Sequence, residues 1–127
     1  MSIYDSIADF LGVEDESPEN LEDDLLMKLN EMNDVYRGLE SEIDEVNRRV
    51  SNLQEAVMKH NENAKQAVNR SNESKARREL KKKKQKIERV NELENRLNNL
   101  RRKRDNLMEQ RERIEDKLEE LQRERRL

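Results

Sequence analysis

His60 is the only histidine in the chain's 127 residues, and there is no cysteine. A metal site of the di-iron bundle type places its histidine in a Glu-x-x-His turn among several inward carboxylates. Nothing of that kind surrounds His60, which takes a slot between Val57 and Ala64 in an apolar series. The chain has no glycine-rich phosphate loop, no nucleophile set beside a base and no pair of inward carboxylates. These residues therefore predict no enzyme, no cofactor and no metal, and they give His60 a structural or tip-facing role.

Charge offers a second kind of chemistry. Lys75, Arg77, Arg78, Lys81, Lys82, Lys83, Lys84, Lys86 and Arg89 form a basic stretch. Three readings stand open: a solvated helix face that complements acidic residues elsewhere in the chain, a contact for anionic lipid headgroups, or a contact for nucleic acid. A basic-zipper reading fails on register. Asn69 and Arg77 have its internal spacing, but they would make Ile87 the first zipper position, followed by Glu94 and Arg101.

The first twelve residues carry a third candidate. Ile3, Tyr4, Ile7, Phe10 and Leu11 share one face of a helix, with Asp5 and Asp9 opposite. That face suits either shallow insertion into a membrane or docking on protein helices. The polar face holds no lysine or arginine, so anionic lipid repels it unless the distant lysine run compensates. Gly12 is a C-terminal stop.

The elements that position these residues are legible in the composition. Charged residues make up 45% of the chain and hydrophobic ones 31%, too little apolar matter for a layered core but enough for a coiled-coil seam. Apolar residues recur at alternating steps of four and three from Leu25 through Leu29, Met32, Tyr36, Leu39, Ile43, Val46, Val50 and Leu53 to Val57. A second series runs through Val90, Leu93, Leu97, Leu100, Leu107, Ile114, Leu118 and Leu121, with Arg104 and Arg111 in its two open slots. The series mirror one another about a point between Ser71 and Asn72, so that facing residue numbers sum to 143. Near the tip the pairing slips by one, setting Val57 against Ile87 and Ala64 against Leu80.

A mirrored pattern is what an antiparallel hairpin needs. It is equally met by two continuous helices from two molecules lying antiparallel. In a parallel zipper Arg104 and Arg111 would face their own copies. In the hairpin they lie opposite Leu39 and Met32, which their stems can cover.

The expected fold is all-α: a long antiparallel coiled-coil helical hairpin with a short N-terminal amphipathic helix. Residues 1–12 form that helix, 13–17 an acidic linker, 18–71 an acidic coiled-coil helix and 72–127 a basic one. Ser17-Pro18, followed by Glu19 and Glu22, is the start signal of the first long helix. The break falls in Asn69-Arg-Ser-Asn-Glu-Ser74, whose short polar side chains bond nearby backbone. Residues 1–64 hold 17 acidic and 5 basic side chains, and residues 65–127 hold 13 and 22, so the halves carry −12 and +9. Folding them together cancels most of this, and the same asymmetry can stack molecules head to tail. No run approaches the ~18 apolar residues of a membrane span, and the first residues lack the basic and apolar regions of a secretory signal.

Several of these residues carry a resemblance. Ala64-Lys65, Ala67, Ser71-Asn72, Ala76, Leu80-Lys81-Lys82-Lys83-Lys84, Glu88, Leu93, Leu97 and Leu100 resemble the tip between the first two helices of ESCRT-III proteins. Met1-Ser-Ile-Tyr, Ala8-Asp9 and the acidic proline-containing linker look like the N-terminus of the related phage-shock protein A group. The resemblance implies a minimal or divergent member of a membrane-remodelling family that polymerises from helical hairpins. On that reading Ile3, Tyr4, Ile7, Phe10 and Leu11 insert into lipid, and Lys75 to Lys86 contact headgroups.

The expected function is a non-enzymatic, self-assembling, membrane-associated scaffold. Its partners would be further copies of itself and an anionic membrane surface, in a cytoplasmic, peripheral location. The alternatives are a soluble structural coiled coil that bridges other coiled-coil proteins and, third, a nucleic-acid-associated coiled coil.

Overall fold

The computed structural model describes residues 3–12 and 17–126, with the side chains of residues 3–6 and 18 left aside. Three helices follow in order: α1 (Ile3–Leu11), α2 (Pro18–Asn69) and α3 (Glu73–Arg126). No strand occurs among the described residues. The two long helices pack against each other as a hairpin within one chain.

Local chemistry explains where each helix begins and ends. The Ser17 carbonyl accepts the Leu21 amide at 2.9 Å, and its hydroxyl accepts the Asn20 amide at 3.3 Å, so Ser17 caps α2. At the other end the Asn72 amide donates to the Ala67 carbonyl at 2.8 Å and the Ser71 amide to that of Val68 at 3.0 Å. This pair of bonds is the Schellman stop, and it sets Ser71 at φ 58°, the left-handed region. Asn72 then caps α3 by accepting the Lys75 amide on its side-chain oxygen at 3.1 Å. One residue thus closes one helix and opens the next, which reverses the chain without glycine or proline. Gly12, at φ 74°, ends α1 in the same left-handed region.

The chain divides into two packed units. The first comprises Met1–Leu39 and Lys103–Leu127. Its core is Ile7 and Ala8 of α1, Leu21, Leu25 and Met32 of α2, and Ile114 and Leu121 of α3, flanked by half-buried Leu11, Leu29, Leu107 and Leu118. Arg111 fills one of the polar slots in this seam. Its stem is half-buried, while its guanidinium donates to the Asn33 side chain at 3.3 Å and lies 6.0 Å from the Tyr36 ring centroid. The charged head therefore stays solvated and paired as its methylenes cover the seam. Arg104 is half-buried in the same way, 3.3 Å from Asp105.

The second unit is Glu40–Arg102. Ile43, Val46, Val50, Ala64 and Ala67 are buried against Ala76, Val90, Leu93, Leu97 and Leu100. Alanine replaces the larger residues toward the turn, which lets the two backbones converge there. Lys83 donates to Asn61 at 2.9 Å across the helices, in keeping with the mirrored register.

Candidate functional site

α3 begins with the basic stretch, and the antiparallel fold decides what it faces. The acid-rich start of α2 lies opposite the far end of α3, where Arg125 pairs with Glu22. The segment of α2 near the lysine run holds Glu55 and Glu62, offset by Lys59 and Lys65. Little negative charge is therefore available there to neutralise the run. Lys75, Arg77, Arg78, Lys81, Lys82 and Lys84 are exposed, and Lys83 and Lys86 are half-buried. Arg77 pairs with Glu73 on its own helix at 3.0 Å. Lys83 bonds a neutral amide. No carboxylate lies within ion-pairing distance of Lys75, Arg78, Lys81 or Lys84 among the described residues. By the 100° helical spacing, Arg78, Lys82 and Arg89 project on the side of α3 away from Leu80 and Ile87.

On that other side lies a groove between α2 and α3. Gln54, Val57, Met58, Ile87 and Val90 line about 440 Å³ of it. Toward the tip Asn61, Ala64, Lys65, Val68, Asn69 and Leu80 line a further 250 Å³. Four apolar side chains stay open to water here: Met58 at 72% exposure, Val68 at 64%, Leu80 at 48% and Ile87 at 39%. Sequence reasoning placed Leu80 and Ile87 in the seam and passed over Met58 and Val68. The signal was present in a second row on α2, Gln54, Met58, Asn61, Lys65 and Val68, which repeats the four–three spacing beside the first.

His60 sits on the opposite edge of the seam. Its Nδ1 lies 2.6 Å from Glu79 Oε2, with both side chains largely shielded. The hydrogen bond from His60 holds the Glu79 carboxyl below the ordinary glutamate range, with Lys82 assisting and desolvation opposing. Glu79 was missed in the sequence because its pairing with His60 departs from the mirrored register. Among the described residues no group of three or more His, Cys, Asp or Glu is disposed to hold a metal ion.

The N-terminal face is positioned differently from a free insertion face. Ile7 is 1% exposed, Ala8 is buried and Leu11 half-buried, all against α2 and α3. Phe10 remains open at 39%, with the Lys117 ammonium 5.0 Å from its ring centroid. The Ile3 and Tyr4 side chains and the linker at 13–16 lie outside the described residues. Ile7 and Leu11 are thus docked on protein helices, one of the two roles this face suits. The cause is the apolar end of the hairpin: Leu21, Leu25, Ile114 and Leu121 would otherwise face water.

The chain matches no family model, no curated protein and no solved structure. No described helix is long and apolar enough to cross a membrane.

Proposed function

We propose that this protein is a non-enzymatic, self-assembling helical scaffold that lies on anionic membrane surfaces through the basic face of α3. The observation that carries the reading is the uncompensated charge of Lys75, Arg78, Lys81 and Lys84, gathered within ten residues on one helix. Each such cation near an anionic bilayer contributes ~1 kcal/mol. The resemblance of the tip residues to ESCRT-III and phage-shock protein A supports the same reading. With Ile7 and Ala8 docked, this reading gives first contact to α3 rather than to α1.

The docked α1 also favours a second reading, a soluble coiled-coil adaptor for other proteins. Sedimentation with phosphatidylcholine vesicles, with and without phosphatidylserine, separates the two. The scaffold pellets only with phosphatidylserine. Replacing Lys81, Lys82 and Lys84 together by glutamine weakens that binding on the order of a hundredfold. Equal recovery in the supernatant with both vesicle types would leave the adaptor. Binding to duplex DNA that weakens in step with the lysine substitutions and with salt, in the absence of lipid binding, would point to nucleic acid instead.

A further inference from the structure

The groove on the second unit is a seat for a third helix. Two helices already form its walls, its floor is apolar, and its length follows the four–three row from Gln54 to Val68. A helix laid there would cover Met58, Val68, Leu80 and Ile87, the exposed apolar side chains that border it. Its polar margin carries Lys65 and Lys84, both exposed, with Glu62 beside Met58. The matching occupant is therefore amphipathic and acidic, with no cation to oppose the margin.

One segment of this chain has that chemistry. α1 carries its apolar residues on one face, and residues 1–16 hold Asp5, Asp9, Glu14, Asp15 and Glu16 without a lysine or arginine. In its own chain α1 is docked on the first unit, to which five linker residues tether it. That unit is a poor electrostatic host for an acidic helix. Without residues 1–16, which bring five of its acids, that unit holds 14 acidic and 10 basic side chains, a net −4. Glu40–Arg102 holds 11 and 17, a net +6. Cis docking buries Ile7 and Ala8 but leaves Phe10 over a third exposed. The second unit offers an apolar groove with favourable charge.

We infer that α1 of one copy seats in the groove of a second copy, exchanging its cis seat for one in trans. This deepens the self-assembly part of the proposed function and rests on it. Leaving the cis seat uncovers Leu21, Leu25, Ile114 and Leu121 in the donor, and seating in trans covers Met58, Val68, Leu80 and Ile87 in the acceptor, so the two apolar contributions oppose one another and charge sets the preference. Because donor and acceptor are different surfaces, the interface is heterologous, and the acceptor chain still has its own α1 to donate.

The absence of native cysteine makes the test direct. One preparation carries Phe10→Cys and another Leu80→Cys, both at partly exposed positions. Mixed without lipid and oxidised, they should give a reducible heterodimer on the order of tenfold above a Phe10→Cys and Gln85→Cys mixture, because seating raises the local thiol concentration. Gln85 is exposed on the side of α3 away from Leu80 and Ile87, and the yield should fall with salt. Leu80→Gln or Met58→Gln in the acceptor, read by fluorescence anisotropy of donor chains labelled at Phe10→Cys, should weaken the association at least several-fold. Heterodimer yields equal to the Gln85 control would overturn the inference. Sedimentation velocity on the same samples distinguishes the two failures. Oligomers that persist without the cross-link remove only the α1 seat, whereas a monomer at all concentrations removes self-assembly as well.

Discussion

Replacing Ile7 by alanine isolates what holds α1 in place. At nine residues α1 is shorter than the ~12–15 at which an isolated helix becomes even marginal in water, so its helicity depends on docking. Ile7 is its most buried described side chain, seated among Leu21, Leu25, Ile114 and Leu121. The substitution removes three carbons at ~0.8 kcal/mol each, about 2.4 kcal/mol. The seat is at the hairpin's open end and can partly collapse, which keeps the cost near the lower end of the ~2–5 kcal/mol seen for such truncations. A loss of that size raises the opening constant of α1 about 50-fold, at 1.4 kcal/mol per factor of ten. Hydrogen exchange read by mass spectrometry reports it directly. Amides at 7–11 should exchange about 50-fold faster, up to the limit of an undocked segment, while amides around Ile43 and Val46 stay within about twofold. Unchanged protection at 7–11 would refute the docking argument. Equal loss along α2 and α3 would show that α1 is not a separable unit.

Three further outcomes follow from the helix ends, the helix interior and the buried pair. Ser71→Gly relieves a left-handed residue and should add about 0.5–1 kcal/mol of stability, read as a higher chemical denaturation midpoint, since glycine visits that region without a Cβ clash. Gly38→Ala places a Cβ with nothing within 4 Å in an exposed helical position, and should stabilise by about 1 kcal/mol. His60→Ala removes the hydrogen bond that keeps the Glu79 carboxyl low. A depressed carboxyl pKa contributes stability that is present above its unfolded value, ~4.3, and is lost as pH falls through the folded one. The stability gap between parent and variant should therefore narrow on acidification below ~4.3 in urea melts. A gap that widens there would contradict the pairing.

The seam was legible because heptad spacing and burial are the same fact seen twice. Leu25, Ile43, Val46, Leu97 and Ile114 sit at alternating four–three steps and are all buried. The turn was legible for a local reason as well, since short polar residues at 69–72 supply both the stop of α2 and the cap of α3. What stayed hidden depends on where side chains lie across the seam rather than along it. Glu79 reaches His60 from a position the mirror does not pair. Met58 and Val68 form part of a second row that reads as scattered surface apolars until the turn brings Leu80 and Ile87 beside it. The place of α1 was undetermined by pattern because one amphipathic face serves lipid and protein alike.

Docking of α1 also limits how any insertion into lipid would work. A helix that must leave its seat binds lipid with an apparent affinity reduced by the undocked fraction. If docking is worth about 2–3 kcal/mol, that fraction is roughly 1–3% and α1 alone is a weak anchor. The lysine face bears no such cost, because Lys75, Arg78, Lys81 and Lys84 are exposed and have no carboxylate within ion-pairing distance among the described residues. The two contributions separate by salt. Headgroup attraction through Lys81, Lys82 and Lys84 fades as the Debye length shortens toward ~3 Å at 1 M, while apolar burial of Phe10 and its neighbours does not. Vesicle binding by the parent protein should therefore be largely lost in high salt, and Ile7→Ala should restore part of it by raising the undocked fraction. If Ile7→Ala leaves high-salt binding unchanged while speeding exchange at 7–11, α1 has no lipid role and membrane contact belongs to α3 alone.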